Sequence, residues 1–68
     1  MKISALNQLK GTITGITKGA TTAHVTIDIG GATVTASITN AAVDELKLKE
    51  GKTAYAIVKA SDVMVAVD

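Results

Sequence analysis

Hydrophobic and polar positions alternate with period two along most of this chain, and the spacing becomes helical in one place. From Thr22 to Ile29, the residues Ala23, Val25, Ile27 and Ile29 alternate with Thr22, His24, Thr26 and Asp28, the pattern of a strand buried on one face. Gly30-Gly31 then reads as a two-residue hairpin turn. Its partner strand sets Ala32, Val34, Ala36 and Ile38 on one face, with Thr33, Thr35 and Ser37 on the other. Upstream, Lys10 to Lys18 is rich in β-branched residues, but Ile13 and Ile16 leave strict alternation around Gly15. A glycine inside such a run predicts a bulged strand. Gly19-Ala20-Thr21 follows as a turn.

At Thr39-Asn40 the period changes to about 3.6. Val43 and Leu46 lie three apart, and Asp44, Glu45 and Lys47 fill the positions between and after them. A short helix is predicted, capped by Thr39 or Asn40, with acids toward its positive end and Lys47 and Lys49 late. Gly51 ends it or turns the loop beyond. Thr53 to Lys59 alternates again, and after Ala60-Ser61-Asp62 the run Val63-Met64-Val65-Ala66-Val67 predicts a last strand. The expected class is all-β with one short helix. Three strands, a helix and two strands is the element order of an OB-fold, a five-stranded Greek-key barrel with its helix between strands three and four. Residues 1-68 are read as a single domain, and this fold by itself restricts chemistry little.

Composition sharpens the picture in two respects. A chain of 68 residues buries only about 60% of its unfolded surface and is marginal alone. With no Cys it has neither disulfides nor thiolate metal sites to supplement the core. Hydrophobic content of 47% with a mean hydropathy of +0.36 therefore points to burial against other copies of itself. Seven lysines, no arginine and six acids leave a net charge of +1, and Tyr55 is the only aromatic residue. A single-strand nucleic-acid surface needs a basic groove and several stacking rings, so that class is disfavoured. No run approaches the roughly 20 apolar residues of a membrane span, and the opening does not resemble a secretory signal. A soluble, cytoplasmic protein is the expectation.

Enzyme chemistry finds no footing, so the chain is read as a non-enzyme. His24 is the only histidine and alternates with threonines. Asp28, four residues along the same strand face, lies roughly 13 Å away at about 3.3 Å per residue, which gives no dyad. Anion binding is better supported. Ser4-Ala5-Leu6-Asn7, Thr39-Asn40-Ala41-Ala42 and Lys59-Ala60-Ser61 each read alone as a cap, a turn or a solvated strand end. Together they offer hydroxyls, backbone N–H groups and one ammonium, a donor set suited to a dianion.

The opening Ser4-Ala5-Leu6-Asn7, with Gly11 after three further residues, resembles the Ser-Ala-Arg-Asn signature of the molbindins, the Mop family of molybdenum-pterin-binding proteins with a TOBE-type domain. Leu6 stands where that signature has Arg. The segments Ile27-Asp28-Ile29-Gly30-Gly31, Ser37-Ile38-Thr39, Leu46 to Gly51 and Val58-Lys59-Ala60-Ser61-Asp62-Val63 are similar to the same family. The resemblance implies binding and storage or homeostasis of molybdate or tungstate in the cytoplasm. It also implies a homohexamer, a trimer of dimers, with the anion at subunit interfaces and no direct protein–metal ligands. It places Ser4 and the backbone at Ala5 and Leu6 on one side of a site. Thr39, the backbone near Ala42, Lys59 and Ser61 fall on the other, from a neighbouring subunit. A second oxyanion site is implied at the turn Gly19, Ala20, Thr21 and Thr22. Two alternatives stay open: a self-associating structural or adaptor module without a small-molecule ligand and, less favoured, a single-strand nucleic-acid-binding OB domain.

Overall fold

A computed structural model describes all residues from Met1 to Asp68. Four strands, β1 (Asn7–Lys18), β2 (Thr22–Asp28), β3 (Thr33–Thr39) and β4 (Thr53–Val58), form one antiparallel sheet in the order β3-β2-β1-β4. A single short helix, α1 (Asn40–Glu45), joins β3 to β4, and a 3₁₀ turn, Ala60–Asp62, follows β4. The fold is mostly β with one short helix, and the sheet is curled.

The alternation in β2 and β3 is realised as written. Ala23, Val25 and Ile27 are buried, and their register partners Ile38, Ala36 and Val34 face the same side. Ile13 of β1, Val43 of α1 and Ala56 of β4 complete a core of six buried residues. The bulge falls where the glycine predicts it. Ile13 pairs with Ile27, yet Gly15 already pairs with Thr26, so Thr14 is the extra residue. Its hydroxyl lies 3.0 Å from that of Thr26, which ties the bulge to the neighbouring strand.

β1 is long enough to serve two partners. Its first half, Asn7 to Thr12, pairs with β4, and its second half pairs with β2. Gly11 stands where these partnerships meet. A Cβ there would lie 2.3 Å from the Asp28 carbonyl oxygen, so any side chain would force the strands apart. Gly30 and Gly31, with φ of +89° and +86°, take the left-handed conformations the β2–β3 turn requires. Gly30 N–H donates to the Asp28 carboxylate at 2.9 Å.

Two expectations differ from the structure. The sheet has four strands and not five: Val63 to Val67 pairs with nothing and lies exposed, with Met64 at 93% and Val67 at 91%. An apolar run becomes a strand only where it lies along an open edge that accepts its backbone groups; β3 and β4 are the open edges of this sheet, and the segment pairs with neither. The helix is also shorter than its apolar spacing suggests. It ends at Glu45, with Leu46 as an exposed C-cap. Lys47 then takes a positive φ of 54°, and the Lys52 ammonium accepts the role of end cap by donating to the carbonyls of Leu46 and Lys47 at 3.0 and 3.1 Å.

Candidate functional site

Pairing of β1 with β4 sets Asn7 opposite Val58. The residues just outside that first pair, Ser4-Ala5-Leu6 before β1 and Lys59-Ala60-Ser61 after β4, are therefore brought face to face. They line a pocket of about 240 Å³. The Gln8 side-chain amide donates to the Ala5 carbonyl at 2.9 Å and fixes the approach to β1. On the other wall, Asp62 N–H donates to the Lys59 carbonyl at 2.9 Å and closes the 3₁₀ turn. No hydrogen bond or ion pair within the chain engages the side chains of Ser4, Lys59 or Ser61. Two hydroxyls and one ammonium are thus available to a ligand, and Lys59 is the pocket's only charged residue.

Thr39 and Ala42 lie elsewhere. The Thr39 hydroxyl accepts from Ala42 N–H at 3.0 Å, so the helix start is capped by its own chain and that N–H is engaged. Thr39 pairs with Thr22 across the β2–β3 ladder. This places the cap beside the turn Gly19-Ala20-Thr21-Thr22, which is held from both sides. Gly19 N–H donates to Thr22 O at 2.7 Å, Asn40 N–H donates to Thr21 O at 2.9 Å, and the Asn40 amide donates to Gly19 O at 3.0 Å. The Asn40 Oδ1 is buried without a partner. Lys18 completes the corner by pairing with Asp44 at 2.6 Å.

The residues expected to bind an oxyanion therefore divide into two groups. Ser4, Ala5, Leu6, Lys59 and Ser61 share one pocket. Thr39 and Ala42 instead join Gly19 to Thr22 in the capped corner. The resemblance put Lys59 and Ser61 on a neighbouring subunit from Ser4, whereas here one chain supplies both walls. Ala60, which the sequence offered only as part of the Lys59-Ala60-Ser61 segment and not as a site residue, also lines the pocket. Its place between Lys59 and Ser61 in a tight turn was the available signal.

A second concavity is apolar. The free edges of β3 and β4 face each other across a groove of about 560 Å³, lined chiefly by hydrophobic residues including Val34, Ile38, Ala56 and Val58. No group of three or more His, Cys, Asp or Glu side chains is placed to hold a metal ion. No helix is long and apolar enough to cross a membrane.

Residues 3–65 match the TOBE domain family. Over its full length the chain is 56% identical to a probable molybdenum-pterin-binding protein of Haemophilus influenzae, which it covers completely. MopII from Clostridium pasteurianum has a similar structure, with a TM-score of 0.91 at 46% identity over 97% of this chain and 100% of that one. The cytoplasmic molybdate-binding protein ModG, solved with molybdate bound, matches with a TM-score of 0.89 at 43% identity, over 94% of this chain and 46% of its own.

Proposed function

The chain belongs to the TOBE domain family, and from that premise we propose that it binds and stores molybdate or tungstate in the cytoplasm as a homo-oligomer. The observation that carries this reading is the pocket between Ser4-Ala5-Leu6 and Lys59-Ala60-Ser61, whose polar side chains have no partner within the chain. Lys59 supplies the charge and the two serines supply hydroxyl donors. Relatives that bind molybdate or carry the molybdenum-pterin-binding name support the choice of ligand. The cytoplasmic description of ModG supports the compartment. Tungstate follows from its chemical likeness to molybdate in charge and shape. Thr39 and Ala42 join this site only if a neighbouring copy brings its capped corner to the pocket. The turn Gly19 to Thr22 would then lie nearest the contact as the second site.

Selectivity follows from the donor character. An ammonium cannot accept a hydrogen bond, so the O–H of hydrogen phosphate either faces a donor or turns a serine hydroxyl into an acceptor and loses that donor to the anion. An unmet polar group costs about 1 to 3 kcal/mol when buried. Fully deprotonated tetrahedral oxyanions such as molybdate and tungstate are favoured accordingly.

Self-association is supported by what the chain leaves uncovered. Only six residues are buried, while Val63, Met64, Val65 and Val67 are exposed. A second copy's Val63–Val67 segment has the length and apolar pattern to enter the groove between β3 and β4. There it would act as a fifth strand and close the sheet into a barrel. The strand order, with β4 returning beside β1, supports a Greek-key arrangement for that barrel, and the hexamer is our reading of the assembly. These same apolar surfaces favour a second reading, a self-associating module without a ligand.

Calorimetric titration of the anion-stripped protein with molybdate, tungstate, sulfate and phosphate tests the proposal. Binding of the first two with weak phosphate binding is expected. Tight phosphate binding, or no binding of any of the four, leaves the ligand-free module standing. Solution mass measurement tests the oligomer, and a stable monomer at micromolar concentration would remove it.

A further inference from the structure

One residue of the pocket matches none of the chemistry around it. Leu6 is 82% exposed, yet it lines the wall opposite Lys59. The side chain of an exposed leucine at the rim of a polar pocket contributes neither a hydrogen bond nor a charge. The remaining lining residues, Ser4, Ala5, Ala60 and Ser61, are all neutral. The pocket's formal charge is therefore that of Lys59 alone.

Building on the oxyanion reading above, we propose that Leu6 sets the charge selectivity of the pocket by holding it to one positive charge. A monovalent anion beside Lys59 is fully compensated, whereas a divalent anion keeps one charge unpaired. With a single cation, the pocket separates monovalent from divalent tetrahedral oxyanions only modestly. Perrhenate, a monovalent tetrahedral oxyanion, belongs to the accepted class beside molybdate.

Titration of the full-length protein, Leu6→Arg and Leu6→Gln with molybdate and with perrhenate tests this. A second cation near the anion favours the divalent partner, and Leu6→Arg is expected to raise the preference for molybdate over perrhenate by about tenfold. It should also steepen the salt dependence of molybdate binding. Leu6→Gln adds polarity without charge and should keep the preference within about twofold of the parent. Because Leu6 is largely exposed, both variants should melt near the parent, and melting curves with solution mass verify that fold and assembly are kept. An unchanged preference in Leu6→Arg overturns the proposal. So does loss of self-association in both variants without a change in preference, which would make Leu6 an interface residue. If the parent takes up neither anion, the oxyanion reading itself fails, a result distinct from parent binding that Leu6→Arg leaves unaltered.

Discussion

The two polar regions of this molecule hold similar residue types in opposite states. At the corner formed by the Gly19–Thr22 turn and the start of α1, the Thr39 hydroxyl, the Ala42 N–H, the Gly19 N–H and carbonyl and the Asn40 backbone and side-chain N–H groups are engaged within the chain, and the buried Asn40 Oδ1 is left unpaired. In the pocket at the other junction, the side chains of Ser4, Lys59 and Ser61 have no partner in the chain. A hydroxyl that caps a helix contributes to folding, and the same group left unpaired at a pocket wall is free for the ligand proposed above. Under the proposed function, the contrast separates stability from ligand affinity and gives each its own residues to test.

The largest expected effect lies in the pocket. Lys59→Ala should weaken molybdate binding by about 10- to 150-fold, the scale of one charge-assisted hydrogen bond worth roughly 1.5 to 3 kcal/mol. Its melting temperature without anion should stay near that of the parent, because the ammonium has no partner to lose. Lys47→Ala, outside the pocket, serves as the calorimetric control, and equal losses from both variants would end the distinction between the regions.

At the corner the signs reverse. Asn40→Ala removes the amide bond to Gly19 O and should cost about 1 kcal/mol, a fall of roughly 4 to 8 °C in Tm for a domain of this size. Anion affinity should hold. A large loss of affinity with little change in Tm would instead give the Asn40 side chain a role in holding the anion.

Thr39→Ala should destabilise by about 1 kcal/mol or somewhat less as the helix cap is lost, and Thr39→Ser should recover most of it because serine caps as well. Thermal melts of the pair decide this. If Thr39→Ser fails to restore the Tm, the hydroxyl bond to Ala42 N–H is not what holds the helix start.

The smallest effect belongs to the Lys18–Asp44 ion pair, whose side chains are 44% and 69% exposed. Lys18→Ala should cost well under about 1 kcal/mol, and added salt should erase the difference from the parent. A salt-independent loss would show that Lys18 packs as well as pairs.

Much of this contrast was legible in the residues, and the rest was hidden for physical reasons. The cap at Thr39 and the bulge at Gly15 are local, so a few neighbouring letters specify them. β2 and β3 announce themselves because one face of each meets the core. The first turn of β1 does not: Asn7 and Gln8 carry no apolar alternation, and their strand geometry comes from β4 across the sheet. For the same reason the sequence offered Ser4 and Lys59 as candidates without showing that one chain brings them together. The last apolar run had the letters of a strand but pairs with neither open edge of its own sheet, and its composition carries no information about the partner.

The division of β1 between two partners also orders the events of folding. β1, β2 and β3 are joined by short turns, so their pairing closes small loops and carries little entropic cost. The β1–β4 ladder instead joins Asn7 to Val58, nearly the two ends of the chain, and waits on everything between them. The pocket walls are thus assembled last and should come apart first in local opening events, before the meander melts. Amides in β4 should exchange with deuterium faster than those in β2, and a bound anion should slow the exchange of β4 in particular. Ligand would then act as the clasp on the chain's most distant pairing, and uptake would read out as protection at its two ends.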